Sequence, residues 1–286
     1  MIDGMQKEHL AKTTIKSTIR KVKHLARHCN LNNPEEIKNY LANKEAKNGY
    51  LESLAVSYNR YVRFNGLTWK MPRIKRTSQP PYVPTTEEIT VLISDAGKKY
   101  ALILSILRDT GMRPIELQRM KLDWYDHNRH MINVETAKYG LGRSLKLKES
   151  TASMMDEYLS KHNFKPADRI FPSTKTMGRV LCTIRKKTAD KLKRPSLNKI
   201  CMYSFRHYFA SKLYQQTREY LLVKRKLGHK RIEQTITYIH LVTDGFEESD
   251  FVTATAETVK EACKLLEDGY DFVQEIDGTK IYRKRK

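Results

Sequence analysis

The chain has 286 residues, 54 Lys and Arg against 32 Asp and Glu, a net charge of +22 and a pI near 9.7. That length holds two ordinary domains, and that charge points first to a polyanionic partner. A hydrophobic content of 40% with 16 tyrosines excludes a disordered basic tail, which would lack the side chains to build a core. No apolar run approaches the roughly 20 residues needed to span a bilayer, and no apolar stretch follows the N-terminal charges, so neither membrane insertion nor secretion is expected. Cys29, Cys182, Cys201 and Cys263 are scattered, without the close pairs of a metal clip or a disulfide framework. They read as free thiols in a reducing compartment such as the cytoplasm.

Taken in chain order, the first 75 or so residues read as helices. Ile15, Ile19, Val22 and Leu25 share one face, while Lys16, Arg20, Lys21, Lys23 and Arg27 share the other, the pattern of an amphipathic helix with a basic outside. Asn33-Pro34-Glu35-Glu36 is a helix start, and a third helix is predicted from about Tyr50 to Phe64. The run from Arg73 to Pro84, RIKRTSQPPYVP, joins Arg73, Lys75 and Arg76 to three prolines and reads as an extended linker. A domain boundary is placed there, giving a helical basic domain over 1–76, a linker over 77–86, a second domain over 87–250 and a tail over 251–286. Lys16, Arg20, Lys23, Arg27, Arg73, Lys75 and Arg76 are the expected contacts of the first part to a polyanion.

Thr85 with Glu88 makes a capping box that opens the next helix. Leu102 to Leu107 is a buried helix stopping at Thr110-Gly111, and Arg113-Pro114 restarts a short one. Leu122–Tyr125, Met131–Thr136 and Ser144–Leu147 are strand-like runs separated by DHNR and KYGLG turns, which predicts a small antiparallel sheet. From Met154 to about Tyr238 the pattern is helical again. A last helix carries Val259, Ala262, Cys263 and Leu266 and ends at Gly269, and Asp277-Gly278 predicts a hairpin. The predicted fold class is mostly α with a small antiparallel β-sheet.

Singly, residues such as Arg113, His229 and Tyr238 carry no message, but their order and spacing do. Thr110-Gly111-Met112-Arg113-Pro114-Ile115-Glu116-Leu117, then Lys138 in a strand-turn-strand, Tyr203-Ser204-Phe205-Arg206-His207, Leu227-Gly228-His229 and Tyr238 resemble the tyrosine recombinase (integrase) family. The resemblance implies a helical core-binding domain, a catalytic domain, and cleavage of duplex DNA through a 3′-phosphotyrosine, with four protomers around two duplexes. The Trp69-Lys70-Met71-Pro72 run, the PPYVPTTEEI linker and the C-terminal sequence look like archaeal virus and plasmid integrases in particular.

The chemistry of these residue types agrees with that implication. Arginine forks hold the non-bridging oxygens of a phosphodiester bidentately and stay charged, so Arg113 and Arg206 suit a phosphate clamp. A tyrosine phenol, with a pKa of about 10, is a nucleophile that can later leave, so Tyr238 can store the bond energy and no ATP, metal or other cofactor is expected. Lys138, five residues before Arg143, suits the acid that protonates the departing 5′ oxygen. Lys146 and Lys148 are nearby rivals that strand alternation would point elsewhere. His229, nine residues before Tyr238, can donate to a non-bridging oxygen. Where most members carry histidine before x-x-Arg-His, this chain has Tyr203, whose phenol can donate a hydrogen bond but is a poor base near neutral pH; an aromatic core residue is the alternative. Glu116 and His207 are expected to support the arginines. The competing functions are a type IB topoisomerase-like enzyme, which reseals the same strand, and a basic DNA-binding module without catalysis.

Overall fold

The computed structural model describes residues 1–75, 80–135, 141–231, 235, 251–276 and 279–285, apart from a few side chains in the last strands. The chain divides into two compact units, Met1–Gln79 and Pro80–Lys286.

The first unit is helical: α1 (Ile2–Lys7), α2 (Lys12–Ala26), α3 (Pro34–Asn43) and α4 (Asn48–Phe64). The periodicity of α2 settles which side is buried, since Ile15, Val22 and Leu25 face inward while Lys16, Arg20, Lys23 and Arg27 are exposed. Asn33 caps α3 by accepting from the Glu36 N–H at 3.4 Å, with Pro34 in the first turn where no donor is needed. Leu25, Ile37, Leu54 and Tyr58 form the core, and the Trp69 indole N–H donates to Asn59 at 2.9 Å, which fastens the segment after α4 back onto that helix. α1 has no counterpart in the sequence pattern, being a six-residue helix that buries only Met5.

The second unit opens with the capping box read from the sequence. Thr85 caps α5 (Thr86–Ser94), and Glu88 reaches back to the Thr85 N–H at 3.0 Å. Glu88 also accepts from Tyr82 at 2.8 Å and Ser196 at 2.6 Å. Burial pushes its carboxyl up, but the bonds from Ser196, Thr85 and Tyr82 prevail and hold it below the usual glutamate range. α6 (Lys98–Thr110) ends at Gly111, whose φ of +61° is the left-handed cap that glycine takes without strain. α7 (Pro114–Arg119) follows with proline in its first turn.

The first sheet is smaller than the sequence pattern predicts. Leu122–Trp124 is a 3-10 turn, not a strand, and only Tyr125–Asp126 (β1) pairs with β2 (Met131–Val134). The reason is packing: the buried Trp124 anchors the turn and leaves two residues to pair. β2 then pairs antiparallel with β3 (Arg143–Lys146), with Val134 opposite Arg143.

The long helical stretch is broken into α8 (Glu149–Ser160), α9 (Thr174–Leu192), α10 (Met202–Thr217) and α11 (Tyr220–Leu227). One core joins Leu104, Ile106, Leu117, Ile132, Met155, Leu181 and Phe205 from α6, α7, β2, α8, α9 and α10. The C-terminal part holds β4 (Phe251–Ala256), α12 (Val259–Glu267), β5 (Asp271–Ile276) and β6 (Thr279–Arg285), with β6 central in its sheet. β4 was not apparent in the sequence. The expected apolar stripe of α12 is mostly open: Ala262 is buried, while Val259 is 71% and Leu266 54% exposed. Asp277 and Gly278 lie outside the described residues.

Gly111 allows the end of α6 to turn directly against α10. A Cβ there would sit 2.4 Å from the Phe209 ring of α10, on a backbone that L side chains rarely adopt. Gly111→Ala is therefore expected to destabilise the protein by about 2 kcal/mol, read as a lower urea midpoint at unchanged slope. An unchanged midpoint would show that the α6–α10 junction tolerates the added methyl.

Candidate active site

The site is built where three chain turns meet, each made by a local rule. Arg113 is the N-cap of α7, and Glu116 in the first turn reaches back to the Arg113 N–H at 2.8 Å. The same carboxylate accepts from Arg113 Nη1 at 2.8 Å, so one acid fixes both the backbone and the side chain of that arginine. Glu116 is fully buried, 0% exposed. Its second partner is Arg143, the first residue of β3, which donates through Nη2 to Oε2 at 2.8 Å and through Nη1 to Oε1 at 3.4 Å. Burial works to raise the Glu116 carboxyl, but the hydrogen bonds and charge of Arg143, followed by the bonds from Arg113, hold it below the ordinary glutamate value.

Arg206 enters from α10 and is only 3% exposed. Nη1 donates to the Gly111 carbonyl at 2.7 Å, two residues before Arg113, and Nη2 donates to the Leu227 carbonyl at 2.7 Å. The C-terminus of α11 thus supplies an acceptor to the arginine, as its dipole favours. Gly228 then turns the chain at φ +65° and delivers His229.

His229 Nε2 lies 2.9 Å from Arg206 Nη2, and its Nδ1 lies 2.9 Å from the Thr235 hydroxyl. Because a guanidinium only donates, Nε2 accepts and the ring proton sits on Nδ1. Burial first, then the charges of Arg206, Arg113 and Arg143, lower the His229 pKa to about 3, with Glu116 opposing them. The ring is therefore neutral and accepts from Arg206, where the sequence led us to expect a donor to phosphate. His207, next along α10, is half-buried, and burial together with Arg206 also lowers its pKa.

Arg113, Glu116, Arg206 and His229 are thus brought together, although 116 positions separate the first from the last. Tyr203 is 49% exposed in the first turn of α10, so it is not a core residue. It stands three positions before Arg206, on the same side of the helix. Lys16, Arg20, Lys23 and Arg27 lie together on the open face of α2, and Arg73 and Lys75 are exposed at the end of that unit. Tyr238, Lys138 and Arg76 lie outside the described residues. Lys146 and Lys148 are exposed. In the sequence Arg143 is only a spacing mark, and neither Thr235 nor the two carbonyl acceptors stand out; a lone arginine opening a strand right after a glycine-rich turn was the available signal. Among the described residues no group of His, Cys, Asp and Glu could hold a metal ion, and no helix is long and apolar enough to cross a membrane.

Residues 84–244, more than half of the chain and the stretch that contains this whole arrangement, match the phage integrase family. The chain belongs to the phage integrase family. It is thereby a tyrosine recombinase, an enzyme class that cleaves and religates DNA. Among curated relatives it is 27% identical over 207 residues to tyrosine recombinase XerA of Saccharolobus solfataricus, covering 70% of this chain and 66% of that protein. It is 22% identical over 230 residues to XerA of Pyrococcus furiosus, covering 73% and 77%. The fold is that of the Tn1549 transposon integrase, solved in complex with transposon right end DNA, at TM-score 0.67 and 14% identity over 94% of this chain and 98% of that one. A lambda integrase dimer bound to a COC′ core site aligns at TM-score 0.61 and 17% identity over 87% and 95%. The mostly helical class with small antiparallel sheets, expected from the sequence, is the architecture of this integrase fold.

The histidine in this integrase site carries a pH signature with a definite sign. A pKa depressed from 6.5 to about 3 favours folding above pH 6.5, and that contribution declines as pH falls and is gone once pH passes below 3. At pH 5 the DNA-free protein should keep His229 neutral with the proton on Nδ1, seen in long-range 15N–1H spectra. An imidazolium at that pH would contradict the Arg206 to Nε2 hydrogen bond.

Proposed function

We propose that the chain is a site-specific DNA recombinase that integrates or excises a viral or plasmid genome through a 3′-phosphotyrosine intermediate. The observation that carries this reading is the convergence of Arg113 and Arg206. Arg206 is bonded to the carbonyl of Gly111 on the α6–α7 turn, so two forks from distant parts of the chain are held at one place within the family match. Two fixed guanidinium groups suit the charge that builds on the non-bridging oxygens of a phosphodiester at the transition state.

In this reading Tyr238 Oη attacks the scissile phosphorus, the bond from phosphorus to the 5′ oxygen breaks, and a 3′-phosphotyrosine forms. The departing oxygen takes a proton, for which Lys138 is the proposed donor, and leaves as a 5′-hydroxyl. A 5′-hydroxyl from the partner duplex then attacks the phosphotyrosine, releasing the phenol and joining the exchanged strand. Glu116 orients Arg113, His229 holds Arg206 as a hydrogen-bond acceptor, and the exposed phenol of Tyr203, in the first turn of α10, donates to DNA. Lys16, Arg20, Lys23 and Arg27 supply phosphate contacts from one side of the duplex, with Arg73, Lys75 and Arg76 in the linker. Exchange between two sites calls for four protomers around two duplexes.

A nicked suicide substrate, from which the 5′ fragment diffuses away, tests this directly. The wild-type protein is expected to accumulate a covalent protein–DNA adduct. Tyr238→Phe is expected to bind the same site with affinity within about twofold and to form no adduct, because only the attacking oxygen is lost. An adduct in undiminished yield from Tyr238→Phe would remove that residue from the role.

A further inference from the structure

Arg143 is the most heavily engaged charged side chain near the site to which sequence motifs assign nothing. Its side chain is 4% exposed. Two of its nitrogens meet the two oxygens of Glu116 at 2.8 and 3.4 Å, and Nε donates to the Lys226 carbonyl at 2.7 Å. It also packs against the turn before His229, since a Cβ on Gly228 would meet Arg143 Nη1 at 3.0 Å.

These contacts close a ring. Arg113 donates to Glu116, Glu116 accepts from Arg143, and Arg143 donates to Lys226, which is followed by Leu227. Leu227 accepts from Arg206, and Arg206 donates to Gly111, two residues from Arg113. Every link but one is made by a residue that the family motif names or by its neighbours. The exception is Arg143, and it joins α7 to the end of α11.

On the reading given under Proposed function, we infer that Arg143 is a positioning residue that sets the distance between the two phosphate-binding arginines, Arg113 and Arg206, without touching DNA itself. Three features support this. A fork is required, since one group must satisfy a carboxylate and a carbonyl that belong to different helices, which the three short donors of a lysine cannot span together. The Arg143 Nε, Nη1 and Nη2 are all bonded to protein, two of them to the carboxylate that holds Arg113, so a phosphate would have to displace Glu116 to reach it. And the carboxylate it meets is the one that holds Arg113, so its loss would leave Glu116 with Arg113 as sole cationic partner among the described residues.

The experiment compares wild type, Arg143→Gln and Arg143→Lys in three readouts on the nicked substrate: affinity for a single site, the single-turnover rate of adduct formation at saturating protein, and the pH dependence of that rate. Arg143→Gln is expected to bind DNA within about twofold of wild type and to form the adduct about 100-fold more slowly, the loss that a misplacement of about 1 Å produces. Arg143→Lys, which keeps the charge beside Glu116 but not the second link, should recover part of that rate. The acid limb of the rate should move to higher pH in Arg143→Gln, because the Glu116 carboxylate is then faced, among the described residues, only by Arg113 and the neutral His229, and it should move less in Arg143→Lys.

A wild-type protein that forms no adduct would count against the recombinase reading itself. A wild-type protein that forms it while Arg143→Gln matches its rate would overturn this inference alone. Equal losses of affinity and rate would make Arg143 a DNA contact and overturn it too. So would unfolding of both variants, which would make Arg143 a folding residue.

Discussion

A single buried carboxylate organises the site. Glu116 is fully buried and sits between the guanidinium groups of Arg113 and Arg143, each at 2.8 Å. A carboxylate in that position must be charged to hold two cations, and the two cations are what keep it charged against burial. Such buried ion groups contribute little net stability, because desolvation offsets their attraction. Their effect is geometric: they restrict long side chains to one arrangement. In a phosphate clamp the spacing of two forks has to match two oxygens on one phosphorus, so restriction is what the chemistry requires.

The backbone contributes as much as the side chains. Arg206 is held by the carbonyls of Gly111 and Leu227, both at helix C-termini where acceptors are unpaired. Gly111 and Gly228 are both left-handed, and each is needed for a close approach, by Phe209 in one case and Arg143 in the other. The glycine caps of α6 and α11 therefore do more than end helices. They aim two carbonyls at one arginine.

Much of this was legible in the sequence, for physical reasons that can be named. The basic face of α2, the Thr85–Glu88 capping box, the stop at Gly111 and the restart at Pro114 are local rules, and the structure carries all four. Glu116 was legible because it lies one turn from Arg113. Arg143 was not, since its importance comes from contacts 27 and 83 positions away. The tautomer of His229 was equally hidden, because it is decided by Arg206, 23 positions earlier in the chain. The strand predicted over Leu122–Tyr125 failed because Trp124 is buried in the core, a tertiary preference that alternation cannot reveal. β4 was overlooked because its pairing partner is β6, beyond a helix and a further strand.

The most direct measurement of this account is the rate of DNA cleavage by Glu116→Gln under saturating, single-turnover conditions. The substitution keeps shape and volume but removes the charge, and it points an amide N–H₂ at one of two guanidinium groups, where a donor faces a donor. We predict that DNA affinity stays within about twofold while cleavage slows by about 100-fold, since a freed arginine loses its alignment. A Glu116→Gln protein that folds, binds and cleaves at the wild-type rate would contradict the claim that this carboxylate sets the geometry of the phosphate clamp.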